Sequence, residues 1–239
     1  MTILGIDSTG RAASCALLRA GELLGESYLD VGYTHSEVLL PLIEQLLQNA
    51  RCTPDQIDGI AVTCGPGSFT GIRIGVATAK GLAFAREIPC HGVSALEAMA
   101  LLAPPGAGLL CPVMDARRGE VYNALFERRA DGLHRLCEDR ALPVAALAAE
   151  LRPHPGPIYL MGDGTPPCLE AMRELPGLSA APPHARLQRG LAAALLFDPA
   201  RAAPASALAP FYLRVPQAER ERLAREQIAF KPVAKDVEL

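Results

Sequence analysis

The chain has 239 residues, half of them hydrophobic, and 23 basic against 26 acidic side chains leave a formal net charge of −3. That length bounds it to one large domain or two small ones with a real core, and the acidic balance argues against a free-standing nucleic-acid binder, which needs a basic face to release counterions. A local basic patch remains compatible with it.

In chain order, Thr2–Asp7 (TILGID) is a short apolar run ending in Asp, a buried-strand pattern. Residues 13–32 read as a strand, a turn near Ala20-Gly21 and a second strand. Three strands joined so tightly are antiparallel neighbours. Residues 34–50 have helical periodicity, opened by Thr34 and Glu37 at capping-box spacing and interrupted by Pro41. Residues 57–68 are a strand running into the glycine-rich turn GPGS. Residues 69–87 form a second helix with Ser68 or Thr70 as N-cap. A short strand at 88–93 leads to a third helix at 94–102, with Ser94 and Glu97 at capping-box spacing.

APPGAG (103–108) reads as a domain boundary. Beyond it VMDARRGEVYNALF parallels GIDSTGRAASCALL: apolar strand, Asp, tight turn, strand. Helix at 142–151, strand and turn at 156–164 and helix at 188–197 follow, then a Pro/Ala connector at 198–210. Residues 217–227 are charged nearly all round and predict a solvated helix before a loose tail. A strand–Asp–hairpin plan with alternating helices and strands, met twice, is an α/β architecture with mixed sheets. The expected units are 1–104, 105–216 and a charged tail, 217–239.

The seven cysteines, at positions 15, 52, 64, 90, 111, 137 and 168, form no C-x-x-C and sit beside apolar residues. They read as buried thiols in a reducing cytoplasm. No apolar run approaches the ~20 residues of a membrane span, and Asp7 breaks the opening run too early for a signal peptide.

GPGSFTGIRIG (65–75) fits no nucleotide fingerprint. A P-loop needs G-x-x-x-x-G-K-[ST], but Ile72 and Arg73 follow Gly71 and Lys80 is far along the helix. The dinucleotide G-x-G-x-x-G fails because Thr70 holds the third glycine position. A helix N-terminus can still attract an anion. The five histidines, 35, 91, 134, 154 and 184, include no i, i+4 pair and no H-E-x-x-H, so no metal site is expected. No G-x-S-x-G occurs and no catalytic residue is assigned. Asp7, Ser8 and Thr9 read two ways: a strand-end Asp with hydroxyls facing a nucleotide's phosphates or a bound magnesium, or an ordinary turn starter.

The helices carry more. At about 100° per residue, Val38, Leu42, Leu46, Leu39, Ile43, Leu47 and Leu40 fill an arc of roughly 200°, twice the stripe of about 100° that one sheet needs. Gly71, Gly75, Ala79 and Ala83 recur every four residues. That small-residue strip admits either the chain's own sheet or a partner's helix.

ILGIDSTGRAASCAL, HSEVLLPLIEQLL, IAVTCGPGSFTGIRIGVATAKGLA, VMDARRGEVYNALF and PFYLR together resemble the TsaB (YeaZ) family over most of residues 1–214, in order and spacing. The resemblance implies the actin/Hsp70-like (ASKHA) fold in two subdomains. It implies a non-catalytic subunit in the synthesis of threonylcarbamoyladenosine at position 37 of tRNA. The implied partners are a TsaD-like catalytic subunit, a TsaE-like ATPase, tRNA through the complex and, in isolation, a second copy of the chain; no membrane is involved. No cofactor is held tightly, with ATP or ADP placed at the complex interface and any weak nucleotide contact at Asp7, Ser8 and Thr9. The family's dimer contact lies on the two helices quoted, which puts His35, Leu39, Leu42, Ile43, Leu46, Gly71, Ile74, Gly75, Thr78, Ala79 and Leu82 at the partner. An autonomous kinase of this fold and a glycoprotease-like hydrolase are the alternatives; the first needs an adenosine-binding loop and the second a metal or nucleophile, and the sequence presents neither.

Overall fold

The computed structural model describes residues 1–106 and 108–214. The charged segment expected at 217–227 and the tail 217–239 lie outside the described residues.

The first sheet is built from β1 (Thr2–Asp7), β2 (Ala13–Arg19), β3 (Glu22–Leu29), β4 (Gly59–Gly65) and β5 (Cys90–Ser94), in the order β3-β2-β1-β4-β5. β1, β2 and β3 pair antiparallel, as the tight turns require; β4 and β5 add in parallel, each after a helix. The turn at Ala20-Gly21 uses two residues with positive φ.

β1 is buried on both faces, and its side chains divide by parity. Leu4 and Ile6 join the core under α1 (His35–Asn49) and α2 (Phe69–Phe84). Ile3 packs the other way, onto Ala194 of α6 (Gly190–Leu195). Gly5 lies on that second face because a Cβ there would collide with the Gly190 carbonyl and Ala194.

The caps follow the sequence closely. The Glu37 carboxylate accepts from Thr34 N–H (3.0 Å) and Thr34 Oγ1 (2.7 Å). Ser68, not Thr70, caps α2, its Oγ accepting from Gly71 N–H at 3.2 Å. Ser94 caps α3 (Ala95–Leu101), accepting from Glu97 N–H at 3.3 Å. Glu97 then turns outward to Arg135 instead of closing a capping box.

The second sheet repeats the first. β6 (Leu109–Asp115), β7 (Glu120–Asn123), β10 (Arg140–Pro143), β11 (Ile158–Met161) and β12 (Leu178–Ala180) lie in the order β10-β7-β6-β11-β12. The hairpin β8 (Phe126–Arg129) and β9 (Gly132–Arg135) attaches to β6. β6–β7 is antiparallel and β6–β11 parallel, matching β1–β2 and β1–β4. Helices α4 (Val144–Leu151) and α5 (Thr165–Ala171) close a separate core with Leu147, Leu151, Ile158 and Cys168. The β8–β9 hairpin, β10, β12 and α5 are additions to the expected elements, and the helix expected from 142 begins at Val144 because β10 takes the residues before it.

The expected boundary needs one correction. Residues 105–216 do not stay with the second sheet: α6 packs on β1, β2 and β4, the 202–204 region bridges Cys90 through Ala203, and Leu208 and Tyr212 join the first core. The reason is apolar area. The face of the first sheet opposite α1 and α2 is covered by the small side chains Ala192, Ala193 and Ala194, all buried. The second sheet is an insertion between the two parts of the first half.

Candidate functional site

The two halves face each other across a cleft of about 490 Å³. Its walls come from the β1–β2 turn (Thr9, Gly10, Arg11), the GPGS turn and the start of α2, the β6–β7 turn (Asp115 to Arg118) and the returning segment Phe211–Arg214.

The GPGSFTGIRIG glycines are explained by what they touch. Gly65 and Gly67 have φ of +128° and +152°, a region L side chains avoid. A Cβ on Gly65 would strike the Phe211 carbonyl and one on Gly67 the Thr9 carbonyl. On Gly71 it would strike the Ser8 carbonyl, and on Gly75 the Ser8 hydroxyl, with Val62 at 3.6 Å. Ser68 N–H donates to Thr9 O (2.7 Å) and Ser8 Oγ donates to Gly71 O (2.9 Å). The glycines seat α2 directly on the end of β1.

That seating corrects two expectations. Asp7 and Ser8 do not line the cleft: both are fully buried, and Thr9 alone of the three is part of its wall. The Asp7 carboxylate accepts from Thr9 N–H (2.9 Å) and Thr9 Oγ1 (3.0 Å), which consumes the turn's donors locally. Burial pushes the Asp7 carboxyl up to about 6, against the opposing pull of hydrogen bonds from Thr63 and Thr9.

The helix surface is also narrower than expected. Leu39, Ile43 and Leu46 are buried in the chain's own core, and so are Gly71, Gly75 and Ala79. They present nothing to a partner. Most of the wide apolar arc of α1 is filled from within: Leu39, Ile43, Leu46 and Leu47 are buried, and Val38 and Leu42 pack against the same core as Ile74 and Leu82 of α2, while Leu40 stays exposed. Of the expected interface residues, His35, Leu42, Ile74, Thr78 and Leu82 keep partial exposure. His35 Nε2 lies 3.2 Å from Ala12 O. Beside them α2 shows an outward edge that the sequence reading passed over, Ala77 and Gly81, where a Cβ on Gly81 meets nothing within 4 Å.

The far wall of the cleft is polar. Asp115 accepts from Arg117 N–H (2.8 Å) and pairs with its guanidinium (3.1 Å). Asp163 accepts from Asp115 N–H (3.0 Å), and burial pushes its carboxyl above the usual range. Arg214 pairs with Glu120 and donates to Ala116 O (3.1 Å). Arg73 stacks at 3.8 Å over Phe69 and donates to Tyr212 Oη at 2.9 Å. PFYLR therefore straps the two halves together, touching α2 through Tyr212 and the β6–β7 hairpin through Arg214. PFYLR was legible only as part of the family resemblance; its role as a strap was not, because its contacts span about a hundred positions or more.

Among the described residues no three His, Cys, Asp or Glu side chains group to hold a metal, and no helix is long and apolar enough to cross a membrane. Burial pushes the thiols of Cys15, Cys64 and Cys168 up to about 12 and Cys90 to about 11.

Residues 30–162 match the family model described as TsaD: tRNA N6-adenosine threonylcarbamoyltransferase. The chain is 33% identical over 223 residues to the tRNA threonylcarbamoyladenosine biosynthesis protein TsaB of Bacillus subtilis, covering 92% of this chain and 96% of that one. It superposes on YeaZ from Pseudomonas aeruginosa with a TM-score of 0.74 at 29% identity, over 89% and 99% of the two chains. The ethanolamine utilization protein EutJ from Carboxydothermus hydrogenoformans shares the fold alone, with a TM-score of 0.51 at 11% identity over 82% of this chain and 90% of that one. The duplicated sheet, its strand order and these chain-wide likenesses lead to one assignment: an ASKHA-fold protein that belongs to the TsaB (YeaZ) family of tRNA threonylcarbamoyladenosine biosynthesis proteins.

Proposed function

We propose that this chain is a non-catalytic subunit of the machinery that makes threonylcarbamoyladenosine at position 37 of tRNA. It pairs with a TsaD-like catalytic subunit, works with a TsaE-like ATPase and reaches tRNA through the complex, in the cytoplasm. It holds no cofactor tightly, and ATP or ADP belongs to the complex interface. One observation carries the pairing: α2 has a second face. Its inward strip is used up inside the chain, Gly71 and Gly75 against Ser8 and Ala79 and Ala83 in the core, while Ile74, Ala77, Thr78 and Gly81 keep exposure, with no Cβ-sized obstacle at Gly81. Small residues on an exposed helix edge let a second helix come close. The same face serves a second copy of the chain when the partner is missing. The non-catalytic reading is supported by the enclosure of Asp7, whose carboxylate is spent on Thr9.

The test is reconstitution. tRNA modification by the TsaD-like and TsaE-like proteins of the same organism is expected only when this chain is added. Gly81→Leu is expected to weaken co-purification with the TsaD-like protein while the monomer stays folded. Modification at full rate without the chain refutes the reading. Robust ATP turnover or peptide hydrolysis by the chain alone favours the kinase or hydrolase alternative.

A further inference from the structure

The two halves are tied together in two different ways. Between them lies α3, with Leu96 and Ala100 fully buried in a core that also takes Leu110, Met114 and Phe126 of the second half. Its other neighbours are β4, β5 and α6 of the first half. Polar ties flank it. Ser94 Oγ donates to Asp139 Oδ2 (2.6 Å), Arg135 pairs with Glu97 (2.9 Å) and Arg128 donates to Leu101 O (2.7 Å). A junction with a buried apolar centre holds two units together through any relative motion.

At the cleft the tie is the strap, and it is uneven. Its first-half end is anchored by contacts of several kinds. Phe211 N–H donates to Cys64 O (2.7 Å) and the Tyr212 ring lies 5.1 Å from that of Phe69. Arg73 donates to Tyr212 Oη (2.9 Å), and Tyr212 packs on the first core. The strap's hold on the second half runs through the Arg214 guanidinium, which pairs with Glu120 and donates to Ala116 O (3.1 Å). Both side chains of that pair are roughly a quarter exposed, and an ion pair that water reaches is a weak tie. The Glu120 Oε2 atom itself is closed off from solvent and meets no other partner among the described residues. Without Arg214 it would be a buried charge left unpaired, and moving the halves apart would return it to water.

We propose that Arg214 is a latch that fixes the width of the cleft. Paired with Glu120, it holds the β6–β7 hairpin against the strap; released, it lets the second half swing away on α3. The strap stays with the first half in both states, and α3 keeps the two halves joined. This device goes beyond the subunit reading and does not depend on it.

Spin labels on opposite walls of the cleft read its width. Thr70→Cys and Arg118→Cys place them on exposed residues of α2 and the β6–β7 turn. A Cys137→Ser background removes the half-buried thiol. Distances are measured on the full chain by double electron–electron resonance, in samples frozen from a temperature at which circular dichroism shows each variant folded. The chain with its latch intact is expected to give one narrow distance. Arg214→Gln and Glu120→Gln remove opposite partners of the same pair, and each should shift the distribution to longer distances. Arg189→Gln is the matched control, because it breaks an ion pair with Glu26 that lies within the first half. Its distribution should not move. An unshifted distance in either latch variant, an equal shift in Arg189→Gln, or long distances already present with the latch intact each overturns the proposal.

Discussion

Replacing Gly71 by alanine tests the seating of α2 most directly. Alanine is the better helix former by about 1 kcal/mol, so propensity alone predicts stabilisation. The structure predicts the reverse. The new Cβ would fall on the Ser8 carbonyl oxygen, which is backbone and cannot swing aside. Forcing α2 away from β1 costs about 1–3 kcal/mol of overpacking. It also strains the Ser8 Oγ to Gly71 O hydrogen bond of 2.9 Å, worth about 1 kcal/mol. The net loss is about 2 kcal/mol, or a fall in Tm of about 4–8 °C for a domain of this size. Gly81→Ala is the internal control: same helix, same substitution, nothing within 4 Å of the added carbon. It should gain about 0.5–1 kcal/mol. Both variants are compared by thermal and urea unfolding with circular dichroism. A neutral or stabilised Gly71→Ala refutes the claim that the glycine exists for the Ser8 carbonyl.

The buried Asp7 carboxyl gives a pH signature. Its folded pKa of about 6 lies above the ordinary value of 3.8, so between those values the folded state binds the proton more tightly. Stability from this group therefore falls as pH rises from 4 to 6 and stays lower above, by about 3 kcal/mol at 1.36 kcal/mol per unit. Asp7→Asn should flatten that slope in urea titrations run across pH 4 to 8; an unchanged slope would assign it to other groups. The thiols give a simple ranking. With Cys15, Cys64, Cys90, Cys111 and Cys168 pushed up by burial, a thiol reagent at neutral pH should modify half-buried Cys137 first, read by peptide mass mapping. Rapid labelling of Cys111 in the folded protein would contradict its enclosure.

The local grammar of the sequence was legible. Thr34, Ser68 and Ser94 announced their helices because a cap is read within four residues, and Asp7 and Asp115 ended the paired strands whose duplication gives the fold its plan. Direction was not legible. A strip of Gly71, Gly75, Ala79 and Ala83 says that something approaches closely; it does not say from which side, and the answer is Ser8, 63 positions away from Gly71. Asp7 failed for a similar reason. Its strand-end position was right, but its exposure depended on whether the GPGS turn would fold over it. The wide arc of α1 was real, and all of it except exposed Leu40 goes into the chain's own first core, which α2 shares.

The return of α6 to the first sheet has a consequence for synthesis. β1 and β2 leave the ribosome first, yet the small helix that covers Ile3, Gly5 and Leu18 ends at Leu195. Roughly ninety residues separate the end of α3 at Leu101 from that point, which at about 5–20 residues per second is a delay of several seconds. Throughout that interval one apolar face of the nascent first sheet has no covering layer of its own. A chain stalled or truncated near residue 104 would leave an aggregation-prone sheet, whereas excising the inserted second sheet and rejoining the flanks would keep every contact that α6 makes with β1 and β2.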